Sequence, residues 1–100
     1  MPTFPNTVSY GVNFKDEPRA DVDITGTPGD MTIDVSWNGV HVYGPAPTNA
    51  AGQTNIPVDY TAGASNTLRI QLTDGTEQPY SKSGITGQPG QSSSGTAPQV

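Results

Sequence analysis

The chain has 100 residues, which is enough for one small hydrophobic core. Its hydrophobic fraction of 31% and charged fraction of 13% are both below the usual values, and its formal net charge of −5 disfavours a nucleic-acid partner. The lack of cysteine excludes disulfides, thiolate catalysis and thiolate zinc sites, and no apolar run is long enough to span a membrane.

The first eighty residues contain short stretches in which apolar and polar residues alternate, and no stretch has helical periodicity. This period of two is typical of half-buried β-strands. We therefore predict an all-β, antiparallel β-sandwich of six to seven short strands, immunoglobulin-like or jelly-roll-like. The alternating apolar sets are Val8-Tyr10-Val12-Phe14, Ala20-Val22-Ile24, Ile56-Val58-Tyr60 and Leu68-Ile70-Leu72.

Asn38-Gly39 is the clearest local signal, because both residues tolerate the positive φ of a type I′ hairpin turn. A two-residue turn there sets Trp37 opposite Val40 and continues as three further pairs. One face of the hairpin is then apolar and is predicted to face the core, and the other is polar. The further pairs are Ser36–His41, Val35–Val42 and Asp34–Tyr43; the apolar face holds Ile33, Val35, Trp37, Val40 and Val42.

Two later features also constrain strand positions. Pro57 lacks the N–H that a central strand must donate, so its strand is predicted to lie at a sheet edge or to contain a bulge. Asp74-Gly75 predicts another hairpin, in which a three-residue loop would set Ile70 opposite Tyr80.

The composition changes near residue 80. Residues 81–100 contain only two large apolar side chains, Ile85 and Val100, too few to offset the entropy lost on ordering. We therefore predict an extended N-terminal arm at 1–6, a sandwich domain at 7–80 and an extended Gly/Ser/Pro-rich tail at 81–100.

Ser36, His41 and Asp34 fall on one face of the predicted hairpin and superficially suggest a catalytic triad. A flat sheet face supplies neither an oxyanion hole nor a pocket that excludes water, so we expect no enzyme activity and no cofactor. Asp21 and Asp23 project from one strand face, but no calcium-loop pattern surrounds them. We interpret these two carboxylates as a solvated face and expect no metal site.

A short, cysteine-free β-sandwich with extended ends resembles the small decoration or cement proteins of tailed bacteriophage particles, in architecture and composition. The resemblance implies a structural virion protein that binds the capsid shell non-covalently through its sandwich and arms, in many copies or as a homo-oligomer. Met1 to Pro5 has no signal-peptide character, which fits assembly in the host cytoplasm. We expect partner contacts from Phe4, His41, Tyr43, Tyr80, Lys82, Ile85 and Val100.

A carbohydrate-binding or adhesin-like sandwich is the alternative. Tyr43, His41 and Asp34 could form a glycan-binding face, and the strand order from Met31 to Gly75 is similar to that of galactose-binding jelly rolls. The two functions are separable by experiment, because one requires a protein partner and the other a sugar.

Overall fold

A computed structural model describes residues 4–49 and 51–100 of the chain. It contains eight β-strands in two four-stranded sheets, and the β-sandwich prediction is therefore confirmed. One sheet has the order β5-β2-β1-β8 and the other β4-β3-β6-β7. The strands are β1 (Thr7–Phe14), β2 (Arg19–Thr25), β3 (Thr32–Trp37), β4 (Val40–Pro47), β5 (Gln53–Asp59), β6 (Asn66–Thr73), β7 (Glu77–Ile85) and β8 (Ser92–Pro98).

The core lies between the sheets and consists of the inward side chains that the alternation predicts. Along β1 and β2 every second residue is buried, because each strand faces the opposite sheet on one side and solvent on the other. At one end of the core, the rings of Phe14 and Tyr60 meet edge to face with their centroids 4.8 Å apart. Such pairs add to the stabilisation that burial gives.

Strands distant in sequence pair in both sheets. β2 pairs with β5 and β3 pairs with β6, all antiparallel. Immunoglobulin-like sandwiches pair their B strand with E and their C strand with F in this way. Here an eighth strand, β8, is added beside β1, so the first and last strands are neighbours.

The β8 strand corrects the prediction of an extended tail at 81–100. β7 crosses the expected boundary at residue 80 and continues to Ile85, while Ser92–Pro98 pairs with β1 over seven residue pairs. Residues 92–98 are ordered because β1 provides backbone hydrogen-bond partners along its edge. The buried apolar side chains of β1 provide the surface against which the segment packs. The chain from β1 to β8 therefore forms one sandwich with no separate tail.

Part of the predicted N-terminal arm also packs on the sandwich. Phe4 is half-buried against the core, and the carbonyl of Pro5 accepts hydrogen bonds from the Tyr80 hydroxyl (2.5 Å) and the Gln99 side chain (3.0 Å). Residues 1–3 of the arm lie outside the described residues. Within the described part of the chain, no helix is long and apolar enough to cross a membrane.

Candidate functional site

The β3–β4 hairpin positions most of the surface residues that the sequence singled out. Its turn is the predicted one, with φ of 53° at Asn38 and 79° at Gly39, as a type I′ turn requires. The Asn38 side chain fixes the turn to β6, because its Oδ1 accepts from the Thr67 N–H and its Nδ2 donates to the Asn66 side chain, each at 2.9 Å. The hairpin is thus held at its tip by the neighbouring strand.

The hairpin register follows the prediction near the turn and departs from it further on. Trp37 pairs with Val40 and Ser36 with His41, as predicted. Beyond these pairs the register shifts, so Val35 lies opposite Tyr43 instead of Val42. Tyr43 consequently packs half-buried against the core. The expected placement of Tyr43 with Asp34 on an open polar face is corrected by this bulge.

His41 and Asp34 do come together on the outer face of the hairpin. The Nε2 atom of His41 lies 3.2 Å from a carboxylate oxygen of Asp34, and both side chains are substantially exposed to solvent. Asp34, Ser36 and His41 do not line any of the clefts that are described below. An exposed pair on an open sheet lacks the water-excluded setting in which preorganised dipoles stabilise a transition state.

An apolar cleft of about 310 Å³ lies on one side of the sandwich, between the edge strands β4 and β5. We call it the lateral groove. Val40 is 63% exposed there, although its alternation with Val42 predicted a core position. As an edge strand, β4 has no neighbour on one side to cover Val40. The groove is lined by Trp37, Asn38, Val40, Val42, Pro57, Val58 and Asp59.

Trp37 spans the two sheets at the base of this groove. Its indole N–H donates a 2.7 Å hydrogen bond to the carbonyl of Asp59, on β5 of the opposite sheet. Its ring is buried, so the bond fixes both the indole and the separation of β3 from β5 at this point. The groove therefore has a rigid floor, and Val40 beside it is free to contact a partner.

Asp59 is the one charged residue among those that line the lateral groove. A second cleft, of about 300 Å³, shares Pro57, Val58 and Asp59 with it and is also lined by Asp21 and Arg19. The carboxylate of Asp23, on β2, accepts a 2.8 Å hydrogen bond from the N–H of Asn55 on β5. Among residues 4–49 and 51–100, no three His, Cys, Asp or Glu side chains are grouped so that they could hold a metal ion.

The residues expected to contact a partner do not form one surface. Tyr80 and Ile85 are 0% and 2% exposed, so the expectation that they contact a partner is corrected: both side chains belong to the core. Phe4 packs against the same core. Lys82 and Val100 are exposed, and the N–H of Val100 donates to the carbonyl of Pro79 at 3.0 Å. Of the set, His41 and Tyr43 alone share the hairpin that borders the lateral groove.

Two buried tyrosines have raised pKa values. Burial raises the pKa of the Tyr60 hydroxyl, and the negative charges of Glu17 and Asp16 raise it further. Burial also raises the pKa of Tyr80, against a smaller lowering effect of its hydrogen bond with Gln99. Both hydroxyls donate to backbone carbonyls, Tyr60 to Lys15 and Tyr80 to Pro5. These groups are structural, since each connects distant parts of the chain.

The sequence analysis missed the groove because it assigned Val40 to the core; Val42, which also lines the groove, does pack against the core. The available signal was the combination of Pro57, which predicted an edge strand, with the apolar face of the hairpin. Pro57 does lie on the edge strand β5, and the β2–β5 ladder contains a register shift between Val22 and Ile24. Comparisons of the chain with protein-family models, with curated proteins and with solved structures found no match.

Proposed function

We propose that this chain is a non-catalytic structural domain that binds another protein through its lateral groove. The observation that carries the proposal is the 63% exposure of Val40 beside a cleft with apolar walls. Exposed apolar surface next to a rigid concave floor is typical of sites that receive an anchoring side chain. The buried indole of Trp37 keeps that floor in place without a partner.

The charge around the groove favours a particular kind of partner. Asp59 lines the groove and Asp21 the cleft next to it, while the chain as a whole has a formal charge of −5. A complementary surface would present an apolar side chain flanked by lysine or arginine. Asp59 and the net negative charge of the chain would then accelerate encounter and help to set orientation, while the apolar contact would limit dissociation.

We further propose that the partner is a capsid or other virion protein, as the resemblance to bacteriophage decoration proteins implies. The arrangement supports attachment by the sandwich body, because the segments expected to act as arms are packed within it. One small groove gives modest affinity. A particle that displays many copies of a shell protein would hold many copies of the domain, and any additional contact would raise the overall avidity.

The carbohydrate-binding alternative has less support in the geometry. Modules of that kind use exposed aromatic rings as flat platforms. All seven aromatic residues of the chain lie in the described part, and each is buried or half-buried. The sandwich therefore offers no fully exposed aromatic ring on which a sugar could stack.

The test places a photoreactive amino acid at position 40 and, as a control, at Thr76 in the exposed β6–β7 loop. Both proteins are expressed in the native host, irradiated, and analysed by mass spectrometry. Cross-linking to one virion protein from position 40, with at least about tenfold less from position 76, would support the proposal. Val40→Asp should abolish co-sedimentation of the purified domain with the corresponding particle while leaving its melting temperature within a few degrees.

Two results would overturn the proposed function. One is equal cross-linking from positions 40 and 76, which would mean that the lateral groove is not an interface. The other is retardation of the wild-type protein in polysaccharide gels, unchanged by Val40→Asp, together with no co-sedimentation. That pattern would indicate a glycan site elsewhere on the sandwich.

A further inference from the structure

The outer edge of β8 presents unpaired backbone groups. At one end of the β1–β8 ladder the N–H of Phe14 donates to the carbonyl of Gln91, and at the other the N–H of Gln99 donates to that of Asn6. Hydrogen-bonded pairs alternate along an antiparallel ladder, so the odd-numbered residues of β8 bond to β1. The N–H and C=O groups of Ser92, Ser94 and Thr96 consequently point outward, away from β1.

The other edge strands of the described chain carry proline, which hinders pairing with another strand. β4 contains Pro45 and Pro47 near its end, and β5 contains Pro57. On β5 the outward carbonyl of Asp59 is also occupied, by the indole of Trp37. β7 contains Pro79, whose carbonyl accepts a hydrogen bond from the N–H of Val100. β8 has no proline before its last residue, so every residue from Ser92 to Ala97 has a backbone N–H.

Charge also distinguishes this edge. Every Asp, Glu, Lys, Arg and His side chain lies between Lys15 and Lys82, so β1 and β8 contain no residue that is charged at neutral pH. At one end of β8, Lys15 and Asp16 line a cleft with Ser92 and are opposite in sign. The chain as a whole is negatively charged and would tend to repel a second copy, whereas β8 itself has no charged side chain that would add to this repulsion. A charge-free strand with free backbone groups is suited to pairing with its own equivalent.

We propose that the β8 edge pairs with the β8 edge of a second copy of this chain, antiparallel and about a twofold axis. With the axis at Ser94, the two Ser94 residues face each other and exchange backbone hydrogen bonds, and Ser92 of each copy faces Thr96 of the other. The facing side chains are then serine and threonine, which pair favourably across strands. The β8-containing sheets of the two copies then form one continuous sheet of eight strands.

Such a dimer leaves the lateral groove of each copy open on the opposite side of its sandwich. The inference therefore goes beyond the proposed function and does not depend on it. A twofold dimer would present two grooves to a particle, and bivalent attachment would strengthen binding by a weak groove.

The test uses Ser94→Pro in the full chain, with Val40→Asp as the control, and analytical ultracentrifugation across a range of concentrations. Proline at position 94 removes only an outward N–H, so the β1–β8 ladder should be kept. We expect a wild-type monomer–dimer equilibrium that Ser94→Pro weakens at least about tenfold and Val40→Asp leaves unchanged. A monomeric wild-type protein, or a dimer that survives Ser94→Pro, would overturn the proposal.

Amide hydrogen exchange gives a second measurement that needs no substitution. The amides of Ser92, Ser94 and Thr96 should become protected as the protein concentration rises. The amide of His41 provides the control, because the non-hydrogen-bonded Ser36–His41 position directs it outward on β4. Concentration-dependent protection at His41 instead of at β8 would place the dimer contact at the lateral groove and refute the β8 pairing, whatever the result of the cross-linking.

Discussion

Gly87 shows how one residue without a side chain can determine the packing at one end of the core. It is buried, and a Cβ atom there would lie 2.2 Å from two carbons of the Phe14 ring. That ring cannot move aside easily, because it is 1% exposed and packs edge to face with Tyr60. The segment between β7 and β8 therefore depends on glycine for close approach to β1.

We predict that Gly87→Ala lowers the free energy of unfolding by about 1–3 kcal/mol, the usual cost of overpacking a core. Gly11→Ala is the matched control, because a Cβ atom there would have its nearest neighbour at 4.0 Å. The control should change stability by less than about 0.5 kcal/mol. Urea denaturation of both variants measures the difference, and equal stabilities would show that the Phe14 ring adjusts without cost.

The two buried tyrosines make stability depend on alkaline pH. Folding raises the pKa of Tyr60 and Tyr80, so the native state holds these protons more tightly than the unfolded chain does. This contribution is fully present below the unfolded value of about 10 and is lost as the pH rises above it through the folded values. The double variant Tyr60→Phe, Tyr80→Phe should start less stable, because it lacks both hydrogen bonds to backbone carbonyls.

We expect the wild-type free energy of unfolding to fall more steeply than that of the double variant between about pH 10 and 12. Urea denaturation at intervals from pH 8 to 12 checks this, with tyrosinate absorbance reporting ionisation in the folded state. Parallel curves for the two proteins would contradict the assignment of the alkaline loss to Tyr60 and Tyr80.

At the scale of the strands, the sequence predicted pairing within two hairpins and made no prediction of which distant strands pair. The Asn38-Gly39 turn and the Ile70–Tyr80 pair around the Asp74-Gly75 loop are both confirmed. These depend on turn chemistry within a few residues. The register shift before Tyr43 comes from a bulge, which the alternation of apolar and polar residues does not encode.

The β8 strand escaped prediction for a different physical reason. Its inward residues are Ser93, Gly95 and Ala97, which are too small to give an apolar alternation. A Cβ atom at Gly95 would lie 3.1 Å from the Tyr10 hydroxyl, so the wide ring of β1 fills the space that a larger β8 residue would occupy. The large side chain that covers Gly95 is thus on the neighbouring strand β1. For this reason the composition of residues 81–100, taken by itself, predicted an extended tail.

The candidate site was predictable only in its components. The sequence predicted an edge strand or a bulge at Pro57 and an apolar hairpin face that includes Val40. Their combination into a groove requires β4 and β5 to lie at the same side of two sheets, which is a property of the topology. For the same reason the sequence could not separate exposed Val40 from buried Trp37, which are neighbours on one hairpin face.

At the scale of the whole molecule, the N-terminal and C-terminal parts of the described chain contact each other. β1 pairs with β8, and Pro5 accepts hydrogen bonds from both Tyr80 and Gln99. A chain that ends at Gln91 lacks β8 and leaves one edge of β1 uncovered. We predict that this truncated chain loses its cooperative thermal transition, because the inner face of β1 becomes exposed along that edge.

A peptide of residues 92–100 should restore folding when added to the truncated chain, since the missing strand can bind the open edge of β1. Two modified peptides test the hydrogen-bond alternation. Ser93→Pro removes an N–H that points to β1 and should fail, whereas Ser94→Pro removes an outward N–H and should restore folding nearly as well as the natural peptide. Circular dichroism melting with each peptide reports the outcome. Equal rescue by the two modified peptides would mean that the ladder does not direct Ser93 toward β1, and it would remove the basis for pairing β8 with a second copy.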